Sequence, residues 1–209
     1  MANDVQISMS LNEALHIFQR AAQNDFYENA NNEFVTMSGV EMRLLDFSVN
    51  DVRLEDIAHG LSNMCRYGGQ CRKFYSVAEH SVLVSRYVEH VSAIPGLEKS
   101  GLMHDGSEAY IIDLPTPLKV LCPGYQLIEK HFERVIFEAF GLSFGFRHPA
   151  VKECDFRMYL RERSILMPGK DEIPHSELDD LLRLRCLTPE EAKRAFLERA
   201  EELGLRLGS

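Results

Sequence analysis

Residues 76–119 read SVAEHSVLVSRYVEHVSAIPGLEKSGLMHDGSEAYIIDLPTPLK and carry strong helix signals. Ser76 and Glu79 have the spacing of a capping box, which predicts Ser76 at the N-cap of a helix and His80 in its first turn. The pair Pro95-Gly96 ends this helix, because proline lacks the N–H that a helix interior needs. The segment therefore begins with one long, well-capped helix.

A second helix is predicted from about Leu97 through Tyr110. The run Asp113-Leu-Pro-Thr-Pro then breaks the helical pattern, since each proline also restricts the residue before it. The same kinds of signal predict further helices from Leu54 to Gly68-Gly69, from Tyr125 through Phe140, from Pro149 to about Met167, and from a Thr188 cap to near Gly204.

The N-terminal part of the chain shows weaker patterns. Ser10 and Glu13 form a candidate capping box before a short helix. Residues 34–46 hold two short apolar runs around Ser38-Gly39, which predicts a small hairpin. We therefore expect an all-α fold with at most one small β-hairpin near the N-terminus, in a single domain over residues 1–209.

The composition excludes several classes of protein. The 209 residues include 23 basic and 32 acidic side chains and carry a formal charge of −9, which argues against binding a nucleic-acid polymer or an anionic membrane. Five cysteines without a C-x-x-C pair favour reduced thiols. No long apolar run or secretory signal is visible, so a cytoplasmic protein is expected.

Four polar residues on the predicted helices are candidates for chemistry: His80, the adjacent pair His104-Asp105, and Asp155. Asp155 stands out because the spacing of Val151 and Met158 places it largely with the apolar stripe of its helix. A carboxylate that faces a core costs several kcal/mol unless it is paired or binds a metal. Two histidines and two carboxylates suit Mn, Fe, Co, Ni, Zn or Mg.

Each of these residues also has an ordinary structural interpretation. His80 can be a histidine at the start of a helix, and His104-Asp105 can be a local hydrogen-bonded pair. Asp155 can be the salt-bridge partner of Arg157 or Arg161. Spacing alone leaves these alternatives open, because short motifs often match by chance.

The strings YSVAEHS, HDGSEAYIIDLPTPLK and VKECD resemble the HD-domain metal-dependent phosphohydrolases. Within them the likeness is to the bacterial 5′-deoxynucleotidase branch and its relatives that act on nucleoside triphosphates. It covers roughly residues 53–165, so it implies an HD-type helical core there, with helical additions at residues 1–50 and 188–204. It also implies one divalent metal ion, whose ligands in this family match His80, His104, Asp105 and Asp155.

The resemblance implies further roles around this metal. Glu108 matches the family glutamate that positions or activates the attacking water, and together with Asp105 it forms the expected catalytic pair. Arg66 and Tyr67 match an arginine and an aromatic residue that contact phosphate and base. The deoxynucleotidase branch typically carries tryptophan at the aromatic position, whereas this chain has no tryptophan.

Two more residues are candidate substrate contacts. Asp113 matches a family residue that contacts the sugar, and its structural alternative is to cap the turn before Leu114-Pro115. Lys119 is a candidate for neutralising a phosphate, or is an ordinary surface lysine. The segment from Arg66 to Gly69 also resembles a branch of the family with a broader substrate range.

The function implied is metal-dependent hydrolysis of phosphoester bonds in small-molecule nucleotides, either as a 5′-deoxynucleotidase or as a nucleoside triphosphate phosphohydrolase. A homodimer is expected, because members of the family often form dimers. One alternative is a non-catalytic nucleotide-sensing or interaction module on the same fold. Another is a two-metal enzyme, which would need additional ligands such as His131 or His148.

Overall fold

The computed structural model describes residues 33–142, 148–169, 178 and 180–207. These ranges are mostly helical and contain a two-stranded antiparallel sheet near the N-terminus, which confirms the expected fold class. The helix predicted after Ser10 lies outside the described residues. Within the described ranges, no helix is both long and apolar enough to cross a bilayer.

The elements have the following bounds. Strands β1 (Glu33–Val35) and β2 (Glu41–Arg43) come first. The α-helices are α1 (Leu54–Asn63), α2 (Val77–Val91), α3 (Leu97–Met103), α4 (Glu108–Ile111), α5 (Thr116–Leu121), α6 (Pro123–Ala139), α7 (Pro149–Leu166) and α8 (Pro189–Glu202). Short 3-10 turns occupy Val49–Asp51 and Arg66–Gly69.

The hairpin of β1 and β2 turns around Ser38-Gly39, as the sequence predicted. The Thr36 N–H donates to the carbonyl of Val40 at 3.0 Å, and Gly39 has a φ of +84°, a region that favours glycine. Ser38 donates from its N–H and its hydroxyl to the Asp56 carboxylate on α1, at 2.8 and 2.6 Å. These two bonds join the hairpin to the helical body.

Helix α2 packs against α1, α3, α7 and α8 and has two apolar sides. One side joins a buried cluster that includes residues of α1, α6 and α8. The other side packs against residues of α3 and α7. His80 is completely buried in this helix. A polar side chain from its first turn is therefore held inside the body of the protein.

Helix α1 ends at Asn63, so the predicted stop at Gly68-Gly69 is wrong. Met64 is extended, with φ −93° and ψ 116°, and the Arg66 N–H donates to the carbonyl of Tyr75 at 2.9 Å. This long-range bond draws the chain out of the helix before the glycines, which lie in the following 3-10 turn.

The helix predicted over residues 97–110 is interrupted by a turn at residues 104–107. The Nδ1 atom of His104 lies 2.8 Å from the carbonyl oxygen of Gly101, which is the acceptor that the Asp105 N–H would use in a continuous helix. The placement of His104-Asp105 within a helix is therefore wrong. The pair occupies the turn between α3 and α4.

Ser76 caps α2 as predicted, and its hydroxyl accepts from the Glu79 N–H at 3.1 Å. The second half of the predicted capping box does not form. The Glu79 carboxylate instead accepts from three backbone N–H groups before α8, at distances between 2.6 and 3.1 Å, those of Arg185, Cys186 and Leu187. Glu79 thus joins α2 to the start of α8 instead of closing its own helix end.

Candidate metal centre

Three side chains from separate elements converge beside α2. His80 comes from the first turn of α2, His104 follows the last residue of α3, and Asp155 lies in the second turn of α7. The Nε2 atoms of the two imidazoles are 3.2 Å apart. Asp155 Oδ1 lies 3.1 Å from Nε2 of His80 and 3.8 Å from Nε2 of His104. Together these residues form a group that could hold a metal ion.

The separations between these atoms suit a shared ion. Ligand atoms about 2.0–2.2 Å from one ion lie roughly 3.0–3.5 Å from one another in octahedral or tetrahedral coordination. Imidazole nitrogen and carboxylate oxygen are also a donor set that divalent first-row metals bind readily. The chemistry of the donors and two of the three separations therefore fit a divalent cation, and the third, 3.8 Å between His104 Nε2 and Asp155 Oδ1, is slightly longer than this range.

The outer nitrogen of each imidazole orients its ring toward this point. His80 Nδ1 lies 2.6 Å from Glu162 Oε1, and His104 Nδ1 lies 2.8 Å from the carbonyl oxygen of Gly101. Both partners accept hydrogen bonds, so each Nδ1 carries a proton, and Nε2 is the ring atom that would bind a metal ion after releasing its own proton. Histidines that bind metals are held in this way, with the other ring N–H on a carboxylate or a carbonyl.

Asp105, predicted as the fourth ligand, lies next to this group. Its Oδ2 is 3.2 Å from Nε2 of His104 and 3.7 Å from Nε2 of His80. The same oxygen lies 3.5 Å from Nη1 of Arg66, whose Nε donates to Glu162 at 3.1 Å. The Asp105 carboxylate is therefore placed between the imidazoles and a largely buried guanidinium.

The ionisable groups strongly influence one another. Burial acts to lower the pKa of His104, but the Asp105 and Asp155 carboxylates outweigh it and raise the pKa well above its ordinary value. Burial likewise acts to raise the pKa of Asp105, and the charge of His104 lowers it to about 2. Carboxylates that hold protons on nearby imidazoles also attract a divalent cation, whose binding releases those protons.

Glu162 is the residue that the sequence analysis missed. It is completely buried and accepts from three groups besides the Arg66 guanidinium: His80 Nδ1, the Tyr67 hydroxyl at 2.7 Å and the Tyr75 hydroxyl at 2.9 Å. Burial acts to raise its pKa, but Arg66 and His80 lower it to about 2. Its position seven residues after Asp155, on the same side of a helix, was the available signal.

Glu108 begins α4 and is also buried. Its Oε1 lies 3.7 Å from Lys119 Nζ, whereas Oε2 is buried and has no hydrogen-bond partner among the described residues. Burial, then the negative charges of Asp105 and Asp113, raise the pKa of this carboxyl well above its ordinary value, although Lys119 and Arg66 oppose them. Glu108 is thus a buried carboxyl beside the metal group with one free oxygen.

The other predicted substrate residues lie around the same region. Tyr67 shares the Glu162 carboxylate with His80, and Asp113 is close enough to Glu108 for its charge to act on it. Lys119 is not an ordinary surface lysine, because its ammonium pairs with Glu129 at 2.5 Å as well as approaching Glu108.

Two alternative assignments lose support from the contacts. Arg157, considered as the partner of Asp155, pairs with Glu153 at 2.6 Å. His131, considered as a ligand for a second metal, places Nε2 at 2.9 Å from the carbonyl oxygen of Phe47. Within the described ranges, the histidine, cysteine and carboxylate group suited to a metal is the one formed by His80, His104 and Asp155.

The fold and the site together define a mostly helical protein in which two buried histidines meet a partly exposed aspartate. No protein-family model matches the chain. The chain is 37% identical over 175 residues to the uncharacterized protein YfdR of Escherichia coli K12, a match that covers 80% of this chain and 93% of YfdR. It therefore belongs to the same family as YfdR.

A second relative is an uncharacterized protein of Rhodobacter capsulatus. It is 35% identical over 129 residues, which cover 57% of this chain and 65% of the relative. Neither relative's name carries a function, so the chemistry has to be argued from the site itself.

Proposed function

We propose that this protein is a metal-dependent phosphohydrolase of the HD-domain type that cleaves phosphoester bonds in nucleotides. The observation that carries the proposal is the arrangement of His80 and His104: each Nδ1–H is bound outward and each Nε2 faces the Asp155 carboxylate. A purely structural histidine pair needs no such convergence of lone pairs and carboxylate oxygens.

The residues that would hold the metal are His80, His104 and Asp155, with Asp105 as the fourth ligand. When bound, a divalent cation supplies Lewis acidity, since it lowers the pKa of coordinated water and offsets phosphate charge. The donor set is compatible with Mn, Co, Mg, Zn, Ni or Fe. Once a cation has displaced the Nε2 protons of the two imidazoles, the carboxylates of Asp105, Asp155 and Glu162 outnumber the guanidinium of Arg66, so the site would balance the charge of a divalent cation.

Arg66 is the group proposed to contact the phosphate. Its guanidinium already lies within 3.5 Å of Asp105 Oδ2, so an oxygen of a substrate phosphate near the metal ligands would come within its reach. Its second contact, to the buried Glu162, fixes the direction of the side chain. A guanidinium held in this way stabilises charge that develops on phosphorus.

Glu108 is proposed to orient the water that attacks phosphorus. The buried Oε2 atom without a hydrogen-bond partner in the described ranges needs a donor, and a water molecule can supply it. Lys119 is proposed to hold the other oxygen and to favour the ionised form of this carboxylate. The ionised form accepts a proton from water, which a protonated carboxyl cannot do.

The proposal also covers the substrate, the oligomeric state and the cellular location of the protein. The substrate class is the small-molecule nucleotide, handled as by a 5′-deoxynucleotidase or a nucleoside triphosphate phosphohydrolase, and Tyr67 and Asp113 are the proposed contacts beyond the phosphate. The proposed active form is a homodimer. A cytoplasmic location is proposed because all five cysteines are free thiols, which suits a reducing compartment.

The test uses metal-stripped protein supplied with Mn²⁺, Co²⁺ or Mg²⁺ and a panel of ribo- and deoxynucleoside mono- and triphosphates. We expect either nucleoside plus phosphate from monophosphates or tripolyphosphate from triphosphates, resolved by chromatography. Glu108→Gln is expected to lower kcat by about 10²–10⁴-fold while metal binding, followed by calorimetry, is retained.

Glu153→Gln is the matched control, because Glu153 is an exposed carboxylate on α7 paired with Arg157. It should turn over like the unmodified protein. If a stoichiometric metal is bound and no nucleotide is hydrolysed, the phosphohydrolase proposal is wrong and a nucleotide-sensing module takes its place.

A further inference from the structure

A groove of about 260 Å³ is lined by Tyr67, Tyr159, Arg163, Met167 and Pro168. We propose that this groove binds the nucleobase of the substrate, and that Tyr159 and Arg163 make it select bases with a carbonyl oxygen at C6 of a purine or C4 of a pyrimidine, guanine and thymine or uracil, over adenine and cytosine, which carry an amino group there. This inference rests on the proposed function and deepens it, since it assigns two residues that the sequence motifs do not include.

The groove is connected to the metal centre through one buried carboxylate. The Tyr67 hydroxyl, on the wall of the groove, donates to Glu162 Oε2 at 2.7 Å, and Glu162 Oε1 holds His80 Nδ1 at 2.6 Å. The groove therefore lies two hydrogen bonds away from a proposed metal ligand, on the other side of Glu162.

The distances along α7 suit a nucleoside phosphate. Tyr159 follows Asp155 by four residues and Arg163 follows it by eight, so they lie about 6 Å and 12 Å further along the helix axis. A phosphate at the level of Asp155 would place the ring of a 5′-nucleotide, which begins a sugar's length away, between these two levels. The volume of the groove, just below the ~300–1,000 Å³ typical of pockets for drug-sized ligands, suits one ring system.

The walls of the groove offer aromatic faces for stacking. The rings of Tyr67 and Tyr159 are 6.4 Å apart and inclined at 35°, and Phe156 packs on Tyr159 at 6.2 Å. Bases stack readily on such rings whatever their identity. Stacking therefore explains binding of a base in the groove but does not explain selection among bases.

Arg163 supplies the selection. Its Nη1 donates to the Tyr159 hydroxyl at 3.0 Å and its guanidinium lies 5.2 Å from that ring, which fixes its position beside the groove. No carboxylate in the described part of the chain pairs with it. A guanidinium only donates hydrogen bonds, so it favours O6 and N7 of guanine or O4 of thymine and uracil, and disfavours the amino groups that adenine and cytosine carry in place of those carbonyl oxygens.

The experiment compares Tyr159→Leu and Arg163→Gln with the unmodified metal-loaded protein. Binding of the free nucleosides guanosine, thymidine, adenosine and cytidine is measured by calorimetry, which requires no hydrolysis. We expect guanosine and thymidine to bind more tightly than the other two. Tyr159→Leu should weaken all four by about tenfold or more, and Arg163→Gln should remove the preference.

Arg157→Gln is the matched control, because Arg157 is an exposed arginine on the same helix that pairs with Glu153. It should bind all four nucleosides as the unmodified protein does. Tyr159→Phe, which keeps the ring and removes the hydroxyl that anchors Arg163, should retain stacking and lose most of the preference. Unfolding curves establish that each variant is folded.

A second measurement separates this inference from the proposed function. Tyr159→Leu should raise KM for deoxyguanosine monophosphate about tenfold or more, and should raise KM for deoxyribose 5-phosphate, which has no base, by a much smaller factor. Loss of nucleoside binding in Tyr159→Leu supports the groove even if no phosphoester is hydrolysed. Unchanged nucleoside affinities and KM values in folded Tyr159→Leu and Arg163→Gln would overturn it.

Discussion

Two sides of the candidate site are built in different ways. On one side, α2 and α7 are helices of 15 and 18 residues, and they carry His80 and Asp155. On the other side, Glu108 lies on a helix of four residues and Lys119 on a helix of six, with Asp113 between them. The long helices are anchored in the apolar body, whereas α5 has no buried residue at all.

The two sides of the site also differ in their hydrogen bonding, which is more complete around the metal ligands than around Glu108. The metal-side residues meet in a buried network in which Glu162 alone accepts from four groups. On the Glu108 side one carboxylate oxygen has no hydrogen-bond partner in the described ranges, and the contacts are ion pairs of Lys119. The first side is preorganised for a cation, and the second is completed only when a ligand or water arrives.

Breaking the network on the metal side should have the largest effect. Glu162→Gln leaves His80 Nδ1 and Arg66 without their charged acceptor, and loss of one partner in a buried charge pair costs about 3–5 kcal/mol. We expect the free energy of unfolding in urea to fall by that amount. Metal affinity measured by calorimetry should fall about 10–100-fold, because Glu162 orients a ligand.

The control for this variant is again Glu153→Gln, which should change the free energy of unfolding by less than about 0.5 kcal/mol. If Glu162→Gln bound metal as tightly as the unmodified protein, the conclusion that Glu162 preorganises the metal ligands would be wrong.

A smaller effect is expected where the Glu108 side meets the body of the protein. A Cβ atom added at Gly60 of α1 would lie 2.6 Å from the carbonyl oxygen of Ala109, the residue after Glu108. Gly60→Ala should therefore push α4 away and lower the free energy of unfolding by about 1–3 kcal/mol. We expect kcat to fall while metal affinity is retained, because only the Glu108 side moves.

Glu55→Ala, on the exposed side of the same helix, tests whether α1 tolerates an alanine in general. It should leave stability, kcat and metal affinity close to their original values. Loss of metal affinity in Gly60→Ala would show that a displacement of α4 also changes the positions of the metal ligands, which would contradict the distinction between the two sides of the site.

The smallest effect on metal affinity is expected at Lys119, because its ammonium pairs with Glu108 and Glu129 and not with the proposed metal ligands. Lys119→Met should leave metal affinity unchanged and lower the free energy of unfolding by about 1–3 kcal/mol, since it removes the counter-charge of two mostly buried carboxylates. Its positive charge lowers the pKa of Glu108, so its removal should raise that pKa further. Because Glu108 is proposed to act in its ionised form, the acidic limb of the pH–rate profile should move to higher pH.

Lys130→Met, an exposed lysine on α6, is the control and should leave the acidic limb in place. An acidic limb that stays at the same pH in Lys119→Met would mean that the ammonium does not act on the carboxylate that controls the rate.

Most of the fold could be predicted from local patterns. The hairpin at Ser38-Gly39, the Ser76 cap, the helix from Pro149 and the Thr188–Glu191 capping box all appear where the sequence placed them. Each depends on interactions within a few residues. Two errors came at the end of α1 and at residues 104–107, where a hydrogen bond to Tyr75 and the ring of His104 replace helical bonds. In addition, α2 ends at Val91, before the predicted Pro95-Gly96 stop, and α5 was not predicted.

Part of the candidate site could also be predicted from the sequence, because residue type and spacing on a helix are local features. His80, His104 and Asp155 were singled out by their type and by their spacing on helices, and the structure brings them together. Glu162 was not, because a glutamate on a helix is usually solvated and its sequence neighbours do not reveal that it is buried.

Most helices and the candidate metal ligands could be recognised in the sequence, because hydrophobic periodicity, capping residues and donor chemistry are local properties; the turn at residues 104–107 and helix α5 could not. The tertiary structure alone decided which charges are buried together. The partners of Glu162 lie up to 96 residues away in the chain, and Glu79 meets the residues before α8 more than a hundred residues later. Whether a carboxylate is buried depends on the packing of helices that are distant in the sequence. A buried carboxylate such as Glu162 needs several hydrogen-bond donors and opposite charges around it, and these partners come from distant parts of the chain.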